Sequence, residues 1–481
     1  MTMDSRFPDP LLLTRRSFFG RSATGIGMAA LASLLGDDAF ASGNPWLTKI
    51  APKAKRVIYL FQNGAPSHVE LFDHKPELAK HHGQAVPDSL LSGKRFSTMT
   101  GNATGKKLLA PLEPFRNHGA SGATVSSLMP HTAAIADELC FIKSMHTEQV
   151  NHAPAIHFFL TGNQLAGRPS IGSWLSYGLG SLNENLPTFV AMTSVNKDTT
   201  CGQIFYDSYW GSGFLPSRHQ GVKLNPGVDP VLYLTNPRGV GGEMRRIQLN
   251  AIDRMNQRKL EDFGDPEIAT RIAQYEMAYR MQSSVPELAD IASEPPEVLA
   301  MYGPQVHQPG SFARNCLLAR RLIERGTRFV QLMHAGWDQH ASLTTELYTQ
   351  CTDTDQPSAA LVKDLKLRGL LEDTLVIWGG EFGRTPFIQG DFNDRPKWGR
   401  DHHPYAFTLW LAGGGVKAGF THGETDEFGF NVVKDPVHVH DFQATLLHLM
   451  GLDHEKLTYQ FQGRHFRLTD VHGKVVQSVL A

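Results

Sequence analysis

The chain has 481 residues, with 46 basic and 47 acidic side chains and a formal net charge of -1. That balance argues against a nucleic-acid binder, which needs a basic stripe, and against a polybasic membrane-surface protein. Hydrophobic residues at 41% and charged residues at 19% describe an ordinary globular protein, and four Cys exclude a disulfide-dense scaffold. At roughly 100–200 residues per domain the length admits two to four domains, although an α/β fold with insertions can use it as one. The 22 His set the first question, because histidine is the commonest metal ligand and the usual acid or base near neutral pH.

Thr14-Arg15-Arg16-Ser17-Phe18-Phe19-Gly20 precedes an apolar run from Ala23 to Leu35, and Ala39-Phe40-Ala41 gives a small-x-small cleavage pattern. Together they read as a twin-arginine export signal over residues 1–41. The run is too short to span a bilayer. The expected location is therefore periplasmic or otherwise exported, with membrane attachment only through an uncleaved signal. The mature chain, 42–481, would start near Ser42. Cys140 and Cys316 lie in apolar patterns and are expected to be buried thiols; Cys201 and Cys351 lie in polar segments.

In chain order, near-continuous apolar runs predict strands at Arg56–Phe61, Leu139–Lys143, Thr188–Met192, Arg328–Met333, Thr374–Trp378 and Ala406–Leu411. Such runs suit a sheet buried on both faces. Helical patterns cover His131–Glu138, Ala153–Leu160, Ile171–Leu179, Ser311–Arg325, Pro357–Leu371 and His440–Met450. The alternation predicts an α/β fold, a doubly wound, mostly parallel sheet with helices on both faces. Sites in such sheets form beyond the carboxyl ends of the strands. Residues 211–304 break the rhythm. Ile268, Ile272, Tyr275 and Tyr279 fall on one helical face, so the segment reads as a helical insertion, either a lid over the site or plain packing.

The costly polar residues cluster at predicted strand ends: Asn63 after the first strand, His152 downstream of the second, Asp338 and His340 after RFVQLM, Glu381 and Arg384 after TLVIW, and Arg400, His402 and His403 ahead of AFTLWL. One strand-end His is usually structural. Their recurrence fits a metal site, because a shared divalent ion offsets the cost of gathering carboxylates in one cleft. Asn63, Asp338, His340, Glu381, His402 and His403 are the candidate ligands. Asp338 and His340 could also be a simple hydrogen-bonded couple. Arg384 could clamp an anion or pair with Glu381. Adjacent His402 and His403 point oppositely on an extended chain, so one ligates and the other hydrogen-bonds. Many His favour a zinc-like ion over calcium, which prefers oxygen ligands; one or two ions fit the pattern.

Asn63-Gly64, Asn151-His152-Ala153-Pro154-Ala155, Trp337-Asp338-Gln339-His340, the run from Gly379 to Pro386 (GGEFGRTP) and that from Gly399 to Pro404 (GRDHHP), behind a twin-arginine leader, closely resemble the bacterial domain of unknown function 1501 family, placed in the alkaline phosphatase/sulfatase superfamily. The resemblance implies that superfamily's fold. It also aligns His152 with the position where sulfatases carry a nucleophilic Cys or Ser, with Pro154 and Thr161-Gly162 matching and Ile156 replacing an Arg. Glu381 stands for a metal-binding Asp, Phe382 for a second ligand, and Asn63 for the Asp that usually ends the first strand. The segment HDFQATLLHLMGL, within Pro436–Leu452, resembles a superfamily helix. Without Cys or Ser at position 152 there is no formylglycine precursor there. A metal-activated water could attack directly, or His152 could act as nucleophile or base. Ser67, Ser144 and Thr147 are nearby hydroxyls that could substitute.

The expected function is an exported metal-dependent hydrolase of phosphate or sulfate esters, with His152, Arg384 and Arg400 as catalytic or anion-holding groups and a small anionic ester or glycan as partner. The alternative is a non-catalytic envelope binding protein on a degenerate sulfatase-like fold. A metal-dependent isomerase or transferase is a third reading, since fold does not fix function.

Overall fold

The computed structural model describes residues 50–97, 100–101, 103–194, 205–225, 236 and 239–481. The leader, Arg15, Arg16 and Cys201 lie outside the described residues. Nine strands form the central sheet: β1 (Arg56–Gln62), β2 (Leu139–His146), β3 (Phe189–Thr193), β4 (Val222–Leu224), β5 (Phe329–His334), β6 (Thr374–Gly379), β7 (Phe407–Ala412), β8 (Phe420–His422) and β9 (Val437–His438). Their order is β8-β2-β7-β6-β1-β5-β3-β4, with β9 paired to β2. Only β7 runs antiparallel to its neighbours, β2 and β6; every other pair is parallel. The expected doubly wound, mostly parallel sheet is present.

Alternation along each strand explains why the runs read as continuously apolar. Ile58, Leu60, Val330, Leu332, Val376 and Trp378 face one core, and Val57, Tyr59, Phe61, Phe329, Met333, Leu375 and Ile377 face the other. The first core is closed by α5 (Phe312–Glu324) and α6 (Leu343–Leu367), the second by α1 (His152–Thr161), α2 (Ile171–Leu179) and α7 (Val439–Leu449). Both faces lose water contact, at roughly 25 cal/mol per Å² of apolar surface buried.

Three strands were not expected: β4, β8 and β9. They are two or three residues long, sit away from the sheet centre, and lack an apolar run. α6 starts at Leu343, 14 residues before the expected Pro357, which lies inside it. The expected helix over His131–Glu138 is two short turns, Pro130–Ala133 and Ala136–Glu138. Cys140, Cys316 and Cys351 are free and buried; burial pushes the Cys140 thiol up to about 12.

Within 211–304, besides β4, the described residues form two long helices, α3 (Gly242–Phe263) and α4 (Pro266–Ala289), with a short helix at Pro296–Tyr302 and a 3-10 turn at Ser217–His219. The pair attaches at the entry end of β3, through Arg280 on Glu184 (3.2 Å) and Ser284 Oγ on Asn185 O (3.0 Å). That is the end of the sheet opposite the strand-end cluster, so α3 and α4 do not lid it. Among the described residues no helix is long and apolar enough to cross a membrane.

Candidate metal centre

Parallel register places the strand-end residues on one edge. Gln62 pairs with His334 and Phe61 with Gly379, so the chains leaving β1, β5 and β6 emerge level. β7 runs the other way, so the residues ahead of it, including His402, arrive at the same edge. The turn after β1 then packs on the loop after β5. Gly64 has φ +104°, and a Cβ there would lie 2.6 Å from Asp338 N, so only glycine fits.

The cluster forms around one carboxylate oxygen. Asp338 Oδ1 lies 3.0 Å from His152 Nε2, 2.9 Å from His340 Nε2 and 3.4 Å from His402 Nε2. The two Nε2 atoms of His340 and His402 are 2.9 Å apart. All four ligand atoms lie within 4.8 Å of one another, and no other group of this kind occurs among the described residues.

Each imidazole is oriented from behind. His152 Nδ1–H donates to Glu381 Oε1 at 2.5 Å, His340 Nδ1–H to Gln389 Oε1 at 2.5 Å, and His402 Nδ1–H to Val150 O at 2.7 Å. With the Nδ1 atoms of His340 and His402 donating to Gln389 Oε1 and Val150 O, their Nε2 lone pairs face each other beside the Asp338 carboxylate, an arrangement that an added proton or a cation between them would stabilise. Three imidazole nitrogens and one carboxylate oxygen also form a four-donor set of the zinc type, for which metal–ligand bonds of about 2.0–2.2 Å apply.

Burial opposes ionisation of Asp338, but Arg384 and the three imidazoles outweigh it and hold the carboxyl well below the usual range. Burial pushes His402 down to about 4, aided by Arg384 and His152 and opposed by Asp338. Burial also disfavours the charged form of His152, yet Asp338 and Glu381 on either side raise it above its ordinary value.

The structure separates the expected site residues. Asp338, His340 and His402 converge as expected, and His152, at the first position of α1, joins them directly. Glu381 stands behind His152 and also accepts Gly64 N–H at 3.0 Å; it is outside the four-donor group, so its expected place as a ligand is corrected to that of His152's partner. Asn63 is fully buried beside this loop, and neither polar atom of its amide has a partner. It too is outside the group.

Of the adjacent histidines, His402 joins the cluster and His403 hydrogen-bonds elsewhere, the division expected of the pair, while the anion-holding roles of Arg384 and Arg400 are corrected. His403 points away: its Nε2–H donates to Phe430 O at 2.6 Å and its ring stacks on His68. It pairs in register with Gly383 while His402 pairs with Arg384, and adjacent residues on an extended chain face opposite sides. Arg384 is buried, with its donors committed to Ala65 O, Arg400 O, Gly64 O and Asp338 Oδ1. It pairs with Asp338, not Glu381, and has no free edge for an anion. Arg400 is fully buried on Glu70 (2.6 and 2.8 Å) and on the carbonyls of Thr385, Leu109 and Ala110. Ser144 Oγ is engaged by Asp435 O. Gln389 and the Val150 carbonyl were missed. No local pattern marks them, because a main-chain acceptor carries no side-chain signal and Gln389 reaches His340 only through tertiary packing.

The described chain is thus an α/β protein with one buried three-histidine, one-aspartate cluster at the carboxyl edge of its sheet. It belongs to the family described as Protein of unknown function (DUF1501), whose model matches residues 54–480. No curated protein matches the sequence. Among solved structures, the PsFucS1 sulfatase from Pseudoalteromonas sp. is 11% identical, with 89% of this chain and 71% of that chain covered and a TM-score of 0.34. A protein in the alkaline phosphatase superfamily from Vibrio parahaemolyticus is 11% identical over 85% and 73%, with a TM-score of 0.33. The alkaline phosphatase of the Antarctic bacterium TAB5 is 12% identical over 84% and 99%, with a TM-score of 0.30. Likeness at this level says nothing of activity, and the description of the fold rests on the sheet order itself.

Proposed function

We propose that this chain is an exported metal-dependent hydrolase of phosphate or sulfate esters, with one zinc-like divalent ion held by His152, Asp338, His340 and His402. The observation that carries the reading is the facing pair of Nε2 atoms, 2.9 Å apart, on imidazoles whose Nδ1 atoms already donate elsewhere. A bound divalent ion would act as a Lewis acid on an ester oxygen and offset charge in the transition state. The protein's own groups supply orientation. The first turn of α1 has no side-chain cap from Asn151, so N–H groups beside the cluster are free to receive an anion, helped by the helix dipole. Asn63 offers a buried amide with no protein partner, the kind of group a substrate oxygen satisfies. Glu381 holds the His152 ring in place.

A second reading, a non-catalytic envelope binding protein, is favoured by one fact: both candidate arginines are saturated within the fold. Metal analysis of the exported protein, followed by aryl phosphate and aryl sulfate esters with and without chelator, separates the two. Stoichiometric metal with chelator-sensitive turnover supports the hydrolase. Metal without turnover supports the binding protein, and absence of metal with no change in stability on chelation removes the metal centre.

A further inference from the structure

His152 is held from behind by a carboxylate and His402 by a main-chain carbonyl. His340 is held by a neutral side chain, the amide of Gln389, at 2.5 Å. The other acceptor near the same nitrogen, Asp401 Oδ1, stands 3.7 Å away, beyond hydrogen-bond reach. Asp401 is also committed elsewhere, to Ser97 Oγ (2.5 Å), Thr100 Oγ1 and His402 N–H (2.7 Å). Gln389 is thus the direct partner of His340.

The main chain at residue 389 is tied to the site. Gln389 N–H donates to Gly399 O at 2.8 Å, and Gly399 N–H returns to Gln389 O at 3.2 Å. Arg400 N–H donates to Gln339 O at 3.0 Å, so the loop carrying His340, residue 389 and the GRDHHP segment are tied together. The packing is close enough that a Cβ on Gly399 would overlap the carbonyl oxygen of His340. With Oε1 of the Gln389 amide facing it at 2.5 Å, Nδ1 is the nitrogen of His340 that carries the proton.

We propose that Gln389 is a positioning residue for His340: by accepting from Nδ1–H it keeps the Nε2 lone pair aimed into the cluster, and so sets the affinity of the centre for a divalent ion. The inference rests on the metal reading above and adds the residue that tunes it. A neutral acceptor polarises the Nδ1–H bond less than a carboxylate does, so His340 is a weaker donor here than it would be on a glutamate. The centre is built to bind its ion less tightly than it could and to leave the ion more electrophilic. Acceptors of this kind typically change metal affinity by about 10–100-fold when removed.

The test uses the mature protein and zinc ion alone, with affinity read by competition against a chromogenic chelator and folding by urea midpoint. Gln389→Met keeps the length and loses the acceptor; it is expected to weaken zinc binding by about 10–100-fold. Gln389→Glu keeps the acceptor and adds charge; it is expected to bind at least as tightly as the native chain. A folded Met variant that binds zinc within twofold of native overturns the proposal, as does a Glu variant that binds as weakly as Met. Should Met fail to fold, the Glu variant decides alone: affinity at or above native supports the role, and weaker binding overturns it. A native chain that binds no zinc would instead remove the metal reading itself.

Discussion

Arg400 is where the structure departs most from the anion-binding role its motif suggested, and the departure has a measurable size. Its guanidinium and the Glu70 carboxylate are both fully buried, 2.6 Å apart. Arg400→Met keeps much of the apolar stem and removes every donor. Glu70 is then a buried carboxylate with one remaining partner, Leu112 N–H at 2.7 Å. Orphaning one member of a buried pair costs roughly 3–5 kcal/mol, and the carbonyls of Thr385, Leu109 and Ala110 lose a donor besides. Against a total stability of about 5–15 kcal/mol, the variant should be folded but severely weakened. Adding Glu70→Gln removes the stranded charge and keeps an acceptor for Leu112, so the double variant should recover about 2 kcal/mol, a coupling in the range expected for residues in contact. Urea unfolding followed by tryptophan fluorescence reads both. An Arg400→Met midpoint equal to native, together with lost affinity for inorganic phosphate or sulfate, would show that Arg400 holds the anion and that the buried-pair argument is wrong.

Acid stability offers another measurement. Burial pushes His334 down to about 4 and His403 and His219 each down to about 3. The unfolded chain takes up these protons near pH 6.5 and the folded chain resists, so the stability they contribute is complete above about 6.5 and falls away toward pH 4. His334→Gln removes one such group; its unfolding free energy in urea should close on the native value by about 2–3 kcal/mol between pH 7 and pH 4.5, and a constant gap would show that His334 is not buried neutral. Gly399→Ala should cost about 1–3 kcal/mol from overpacking and lower bound metal, read by urea midpoint and metal content; no change in either would contradict the close approach to His340. Arg15→Lys with Arg16→Lys is expected to leave a folded precursor in the cytoplasm, and normal periplasmic accumulation on fractionation would remove the twin-arginine reading.

The centre of the sheet was legible because burial on both faces demands apolar residues at every position, and six such runs mark β1, β2, β3, β5, β6 and β7 to within a few residues. β4, β8 and β9 were illegible for the complementary reason. Strands of two or three residues exist because β3 or β2 offers them an edge, and a tertiary partner leaves no local pattern. The start of α6 was hidden differently. Its first half is polar, yet Gln350 and Asp355 are buried: Gln350 Oε1 meets His334 Nε2 at 2.8 Å, and Asp355 accepts the N–H groups of His131 and Thr132 at 2.7 and 2.8 Å. A helix that buries polar side chains against other polar groups has no apolar stripe to find.

The same distinction divides the candidate site. Recurrence at strand ends correctly brought Asp338, His340 and His402 to one edge, because parallel register makes strand ends level whatever lies between them. The motifs themselves turn out to be mostly frame. In GGEFGRTP, Gly380 and Gly383 allow close backbone approach to Gln62 and Ala406, and Arg384 anchors Asp338. In GRDHHP, Gly399 admits His340, Arg400 locks Glu70, and His403 fastens to Phe430. From these two motifs only His402 enters the four-donor group, with Glu381 one step behind it. A charged residue in a glycine-rich strand-end turn can serve chemistry or serve the turn, and the residue type is the same in both cases. What decides is whether its hydrogen-bonding atoms are already spent within the fold: the donors of Arg384 and Arg400 are, while the Nε2 atoms of His340 and His402 face each other across the cluster. That contrast sets the four-donor cluster, whose Nε2 atoms a shared cation would satisfy, apart from the arginines, which hold the fold.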